Sequence, residues 1–211
     1  VGTITDQVNA PPHIERKKQD IVAAKGSGVE MQDVIRTGLG KVGIRFEDDT
    51  KVQITENSKL VIDDFVYDPN NGDAGKLGLK VALGTARYAS GQIAKDNPQN
   101  VKIETPTATI AVRGTDFNMT VDEIGRSLVV LVPSCQGTVC VTGKIEVTSL
   151  SGTVVLDQPY TATYVSQPSA APIQPVKSAN ITDKQINNLL IVAVPKEVRM
   201  ALIDRSEVQK A

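Results

Sequence analysis

From Lys41 to Val165 the chain alternates apolar and polar residues with a period of two. Val42, Ile44 and Phe46 alternate with Lys41, Gly43 and Arg45, and Val52/Ile54, Leu60/Ile62 and Leu77/Leu79/Val81/Leu83 continue the pattern. Further sets are Val101/Ile103, Ala108/Ile110/Val112, Phe117/Met119/Val121, Leu128/Val130/Val132 and Ile145/Val147. Successive side chains of a strand point to opposite faces, so each set marks one buried face and one wet face. Turn chemistry separates the sets, at Glu47-Asp48-Asp49-Thr50, at Asn57-Ser58 and at Asp68-Pro69-Asn70-Asn71-Gly72-Asp73. Short strands punctuated this way predict an all-β domain over residues 1–165, either a sandwich or a short β-solenoid.

The pattern then changes. Ser166 to Pro175 is rich in proline, alanine and serine, and 166–177 reads as an extended linker. Beyond it, Thr182 and Gln185 form a capping-box pair, and Ile186, Leu189, Leu190 and Ala193 follow at helical spacing. Pro195 closes that helix and opens a second, with Val198, Ala201 and Leu202 on one face. Residues 178–211 are therefore expected to form a short helical C-terminal arm. Helices this short are marginal alone in water. The stripe of Ile186, Leu189, Leu190, Val198 and Leu202 is the candidate partner contact, with either the parent β-domain or a neighbouring subunit as its partner.

Composition excludes more than it selects. Hydrophobic residues make up 40% of the 211 and aromatics 3%, with no Trp, so the core must come from Val, Ile, Leu and Ala. Few aromatics and a near balance of 23 basic against 24 acidic residues leave neither a stacking platform nor a basic footprint for nucleic acid. The longest apolar runs, Leu128–Val132 and Leu189–Val194, are far shorter than the ~20 residues a membrane helix needs. Val1–Asp20 has no apolar stretch of the signal-peptide kind.

Catalytic chemistry is hard to assemble from this inventory. The single histidine, His13, stands beside Pro11-Pro12 with no nucleophile motif near it, and no glycine-rich phosphate loop is present. The acidic pairs Asp48-Asp49, Asp63-Asp64 and Asp122-Glu123 fall at turns or strand ends, where carboxylates are solvated or cap backbone N–H groups. A glycosidase built on such carboxylates is the rival enzyme reading. The Asp68–Asp73 loop lacks the spacing of a calcium loop. Cys135 and Cys140 have no further Cys, and only one His in the chain, to complete a metal site. A local disulfide across a short turn suits them better, with two small buried thiols as the alternative. No catalytic residue, metal or cofactor is expected.

Several segments resemble the FecR domain family. Asp33-Val34-Ile35-Arg36-Thr37-Gly38 is similar to its D-x-I-x-T-G opening. Ile44–Val52 is similar to its strand–turn–strand unit, with Asp49 where Gly is usual, and Asn57-Ser58-Lys59-Leu60 to the x-S-x-L turn after it. Leu83–Tyr88 resembles the L-x-x-G strand. Thr105–Phe117 resembles the signature T-P-x-A-x-x-x-V-R-G-T-x-F, the most specific of these blocks. In that signature Thr105, Pro106, Arg113, Gly114, Thr115 and Phe117 are expected to be structural, with Arg113 reaching Asp116 or a strand-end carbonyl.

Signalling FecR proteins relay iron-siderophore signals from an outer-membrane receptor to a sigma factor. They carry an anti-sigma segment and a membrane helix, neither of which the sequence suggests here. Lys59–Tyr67, Gly75–Ala94 and Thr105–Glu123 are also similar to FecR-domain proteins encoded among structural genes of tailed marine phages, cyanophages included. That resemblance implies a non-enzymatic virion protein of the tail, baseplate or capsid. Its partners would be other virion proteins and copies of itself, with no nucleic acid and no membrane insertion. The alternative it leaves open is a periplasmic signalling or receptor-docking module of a Gram-negative bacterium.

Overall fold

A computed structural model of the chain describes residues 1–71, 74–136 and 139–177. In chain order the strands are β1 (Gly2–Val8), β2 (His13–Arg16), β3 (Gln19–Val22), β4 (Gly28–Val29), β5 (Val34–Arg36), β6 (Lys41–Phe46), β7 (Lys51–Ile54), β8 (Lys59–Val66) and β9 (Lys76–Ala89). They continue with β10 (Val101–Glu104), β11 (Thr109–Arg113), β12 (Asp116–Val121), β13 (Ser127–Val132), β14 (Ser134–Gln136) and β15 (Val139–Val141). The last four are β16 (Lys144–Ser149), β17 (Gly152–Leu156), β18 (Thr161–Val165) and β19 (Val176–Lys177).

Two layers face each other, as the alternation requires of an all-β domain. The front layer runs β4-β1-β6-β7-β9-β12-β13-β18-β19. The back layer runs β3-β2-β5-β8-β9-β10-β11-β16-β17. Each layer stays close to sequence order, so the chain winds along the pair while passing between them. Phe46 of β6 stacks on Phe65 of β8 across the gap, with ring centroids 5.6 Å apart. One apolar cluster fills the space, built mostly from Val, Ile and Leu.

Strand β9 belongs to both layers. Its first half pairs with β8 and β10, and its second half with β7 and β12. The buried phase flips along it, from Leu77, Leu79 and Val81 to Ala86 and Tyr88. Gly84 sits at the flip with φ +86°, and a Cβ there would meet Ser58 Oγ at 2.1 Å. Only glycine fits both the conformation and the contact.

Tyr88 is fully buried and packs against Phe117 at 5.3 Å. Burial pushes its phenol well above the ordinary range. The Thr50 and Ser90 hydroxyls are close enough to influence that ionisation, yet the Tyr88 hydroxyl makes no hydrogen bond. Both neighbours are engaged elsewhere, Thr50 with Asp48 and Ser90 with Thr115. An unpaired buried hydroxyl costs about 1–3 kcal/mol of desolvation. Tyr88→Phe is therefore expected to hold or raise stability, by up to about 1 kcal/mol. A urea titration showing a loss above 1 kcal/mol would mean that the hydroxyl is bonded after all.

Three local findings depart from the sequence reading. On β13 the expected set Leu128, Val130 and Val132 is buried, but so are Val129 and Leu131, and it is these two that join the central cluster. The run Leu128–Val132 is apolar at every position, so alternation carries no phase there. Gln92–Asp96 forms a short helix, α1, too brief to leave a periodic signal. Residues 166–177, expected as a linker, are extended but held to the domain. The Ile173 N–H donates to the Tyr164 carbonyl, Leu150 N–H to the Pro168 carbonyl, and β19 pairs with β18. The expected helices and the stripe of Ile186, Leu189, Leu190, Val198 and Leu202 lie outside the described residues.

Candidate docking surfaces

The family-like motifs form struts. Asp33 opens the D-x-I-x-T-G stretch and has no solvent exposure. Arg16 on β2 donates to it twice, from Nε to Oδ1 at 2.8 Å and from Nη2 to Oδ2 at 2.7 Å, and the Glu30 N–H adds a third bond. The hydrogen bond to Asp33 holds the Arg16 guanidinium above even its usual basicity. Thr37 accepts from the Ser58 N–H and donates to the Thr55 carbonyl. Ser58 in turn accepts from the Thr85 N–H.

The Thr105–Phe117 signature has a similar set of local bonds. Thr105 Oγ1 accepts the Ala108 N–H at 3.0 Å, capping the turn at Pro106. Gly114 takes φ +61° between β11 and β12. Thr115 is fully buried, bonded through its N–H to Ser90 and through its hydroxyl to the Gly143 N–H. Phe117 is fully buried. Arg113 does not reach Asp116: it pairs across the back layer with Glu146 at 3.2 Å, because the chain passes from β11 in the back layer to β12 in the front layer between the two residues. Asp116 instead takes Arg87 at 3.1 Å and accepts from the Ser134 hydroxyl.

The acidic pairs do not converge on a cleft. Asp48 is 1% exposed, not solvated. Its carboxylate accepts from the Thr50 N–H and hydroxyl and, across the fold, from the Ile93 N–H at the start of α1. Asp63 pairs with Lys80 and Asp64 with Lys76. Burial pushes the Asp122 carboxyl up, but the Arg126 guanidinium and the Arg126 and Ile124 N–H groups outweigh it and hold it below the usual range. His13 Nδ1 lies 2.8 Å from Asp20 Oδ2 at an exposed position. Among the described residues no group of three or more His, Cys, Asp or Glu is arranged to hold a metal ion. Among the same residues no helix is long and apolar enough to cross a membrane.

Surfaces suited to another protein are easier to find. The β2–β3 turn has positive φ at both Lys17 (50°) and Lys18 (66°), the mark of a two-residue type I′ hairpin. Arg16 and Gln19 flank that turn as the hydrogen-bonded pair, and Ile14 pairs with Ile21 in the same way two residues on. Asp20 and Val22 therefore point their N–H and C=O groups away from β2. No described strand pairs with β3 on that side. All four of its residues are exposed, Val22 at 62%. Sequence reading missed this edge because Gln19–Val22 is too short to alternate; the signal available was the polar Arg16–Gln19 turn between Ile14 and the pair Ile21-Val22.

A second projection is the β14–β15 hairpin. Its register sets Cys135 opposite Cys140. Cys140 is disulfide-bonded, and the chain has only one other cysteine. Val139 and Val141 on this hairpin are 66% and 61% exposed.

Comparison with known proteins adds a family. Residues 33–154 match the family model described as FecR protein. No curated protein matches. Two crystal structures are similar to part of this chain, both of a Parabacteroides distasonis ATCC 8503 protein with the provisional designation anti-sigma factor. The 1.65 Å structure is 15% identical, with a TM-score of 0.49 over 66% of this chain and 57% of that one. The 2.50 Å structure is also 15% identical, with a TM-score of 0.48 over 65% and 56%. The chain thus spans a little over half the length of that protein.

Proposed function

The chain belongs to the FecR family, and on that premise we propose that it is a non-enzymatic FecR-type signalling module that works by docking another protein outside the cytoplasm. The observation that carries the reading is the open edge of β3. Two residues there aim unpaired backbone groups outward beside the exposed Ile21 and Val22 side chains. An extended segment of a partner can add to such an edge, main-chain bonds supplying affinity and the flanking side chains specificity. Long unguarded edges invite aggregation, so a short one is the form in which a soluble protein keeps an edge available. The disulfide at Cys140 supports an oxidising compartment, such as a periplasm. The virion reading rests on segment likeness alone and becomes the competing outcome of the test.

That test is capture from the envelope fraction of the source organism with the full chain and two edge variants. Val22→Pro removes an outward N–H without touching the β2 ladder, whereas Val22→Thr keeps the N–H. Capture of an envelope protein by wild type and Val22→Thr, reduced at least tenfold by Val22→Pro, is the expected result. Equal capture by Val22→Pro would remove the edge from the mechanism. Recovery of the protein at fixed copy number in purified phage particles would replace the reading altogether.

A further inference from the structure

Glu15 on β2 and Asp20 on β3 stand directly opposite each other. The Arg16–Gln19 pair next to them is hydrogen-bonded, so Glu15 and Asp20 form a non-hydrogen-bonded pair, the kind whose side chains lie closest. Two carboxylates facing each other there destabilise the hairpin. The compensation is uneven. Glu15 pairs with the Arg36 guanidinium, whereas Asp20 has only the His13 ring at 2.8 Å, and its side chain stays 60% exposed. The Lys18 ammonium has no partner among the described residues, although it lines the same open cleft as Glu15, Asp20 and Arg36.

These charges flank the open edge of β3 and give it a polarity. Lys18, Asp20 and Val22 follow one another two residues apart, and Ile21 faces the core side. Asp20 and Val22 turn their N–H and C=O groups outward, so an added antiparallel strand sets one residue directly opposite each. The residue between these two falls over Ile21, which is 37% exposed. Taken in its own chain direction, such a strand meets Val22, Ile21, the Asp20 carboxylate, the Gln19 amide and then the Lys18 ammonium. Antiparallel addition is also the commoner and slightly stronger pairing.

We propose that the β3 edge selects its partner by charge: it takes an extended segment that reads apolar, apolar, basic, polar, acidic, added antiparallel with the basic residue opposite Asp20 and the acidic residue beside Lys18. This rests on the edge docking proposed above and names the segment that fits it. The incoming basic side chain relieves the repulsion between Glu15 and Asp20 that the free chain carries. The pattern also fixes register. A slip of one residue turns every side chain to the wrong face, and a slip of two brings a like charge opposite Asp20 or Lys18. A second copy of β3 does not fit, because Gln19-Asp20-Ile21-Val22 offers no basic residue to set against Asp20.

The test titrates the isotope-labelled full chain with two end-blocked peptides of one composition, following the backbone amides of β3 by NMR. One peptide reads Thr-Val-Ile-Lys-Thr-Glu-Thr and the other has its two charges exchanged, Thr-Val-Ile-Glu-Thr-Lys-Thr. The first is expected to bind about threefold tighter or more, the effect of a cross-strand charge pair. The double variant Lys18→Glu/Asp20→Lys should reverse the order of the two, and Val22→Pro should weaken both alike. Equal or reversed affinities in the wild type, with both peptides lost from Val22→Pro, would overturn the charge selection and leave the edge docking standing. No shift of the β3 amides with either peptide at millimolar concentration, or binding that Val22→Pro leaves unchanged, would overturn both. Dimerisation through β3 before any peptide is added would overturn the proposal by placing a second copy on the edge.

Discussion

Asp48→Ala is expected to cost about 4 kcal/mol, enough to unfold a large share of a domain of ordinary stability. The side chain is 1% exposed, and its removal strands the Thr50 and Ile93 N–H groups together with the Thr50 hydroxyl. A buried donor left without a partner costs about 1–3 kcal/mol, and bonds to a charged acceptor sit at the upper end. Asp48 also does for α1 what its own N-cap does not: Gly91 has no capping side chain, so a residue from the distant β6–β7 turn caps the helix. Asp48→Asn keeps an acceptor of the same size and should lose roughly half as much. Urea denaturation with both variants checks this, and a loss below 1.5 kcal/mol for Asp48→Ala would show that the turn rearranges to satisfy these donors.

Arg16→Met carries the second large effect, about 3 kcal/mol. Asp33 is wholly buried and takes two bonds from one guanidinium. Removing one partner of a buried pair leaves an uncompensated charge, at a typical cost of about 3–5 kcal/mol. Two things place this case at the low end: the Arg16 side chain is 24% exposed, and the Glu30 N–H remains to hold the carboxylate. The double variant Arg16→Met/Asp33→Leu should recover much of the loss, because the penalty belongs to the stranded charge and not to the missing attraction. Equal destabilisation in the single and double variants would locate the effect in the packing of the β2–β5 pair.

Where alternation was strict, the sequence determined the fold closely. Val42/Ile44/Phe46, Ile110/Val112 and Phe117/Met119/Val121 are all buried in the expected phase. The signature block Thr105–Phe117 was legible as a motif, but not that Thr105 caps its own turn or that Thr115 bonds Ser90 and Gly143. What stayed illegible was long-range or phaseless. The apolar run of β13 fits either face. The β9 phase flip depends on a left-handed residue at Gly84 that alternation alone does not announce. Asp48 and Asp49 look alike in sequence; Asp49 takes φ +66° in the position where the family uses glycine, and that turn sends Asp48 inward. The β3 edge depends on a hairpin whose turn residues, Lys17 and Lys18, are among the less expected ones for positive φ.

The sharing of β9 has a mechanical meaning. Fourteen residues bind four other strands, two in each layer, so neither layer can come apart while the other persists. Unfolding is therefore expected to proceed as one event through the centre, while short strands at the layer edges, such as β3 and β19, fray independently at free energies near zero. Amide exchange should divide the molecule accordingly, with the protons of Leu79 and Tyr88 exchanging at one common, slowest rate although they lie in different layers. On the docking function proposed above, an edge that opens freely beside a centre that opens only with the whole fold would let a partner be captured or released many times without risk to the fold.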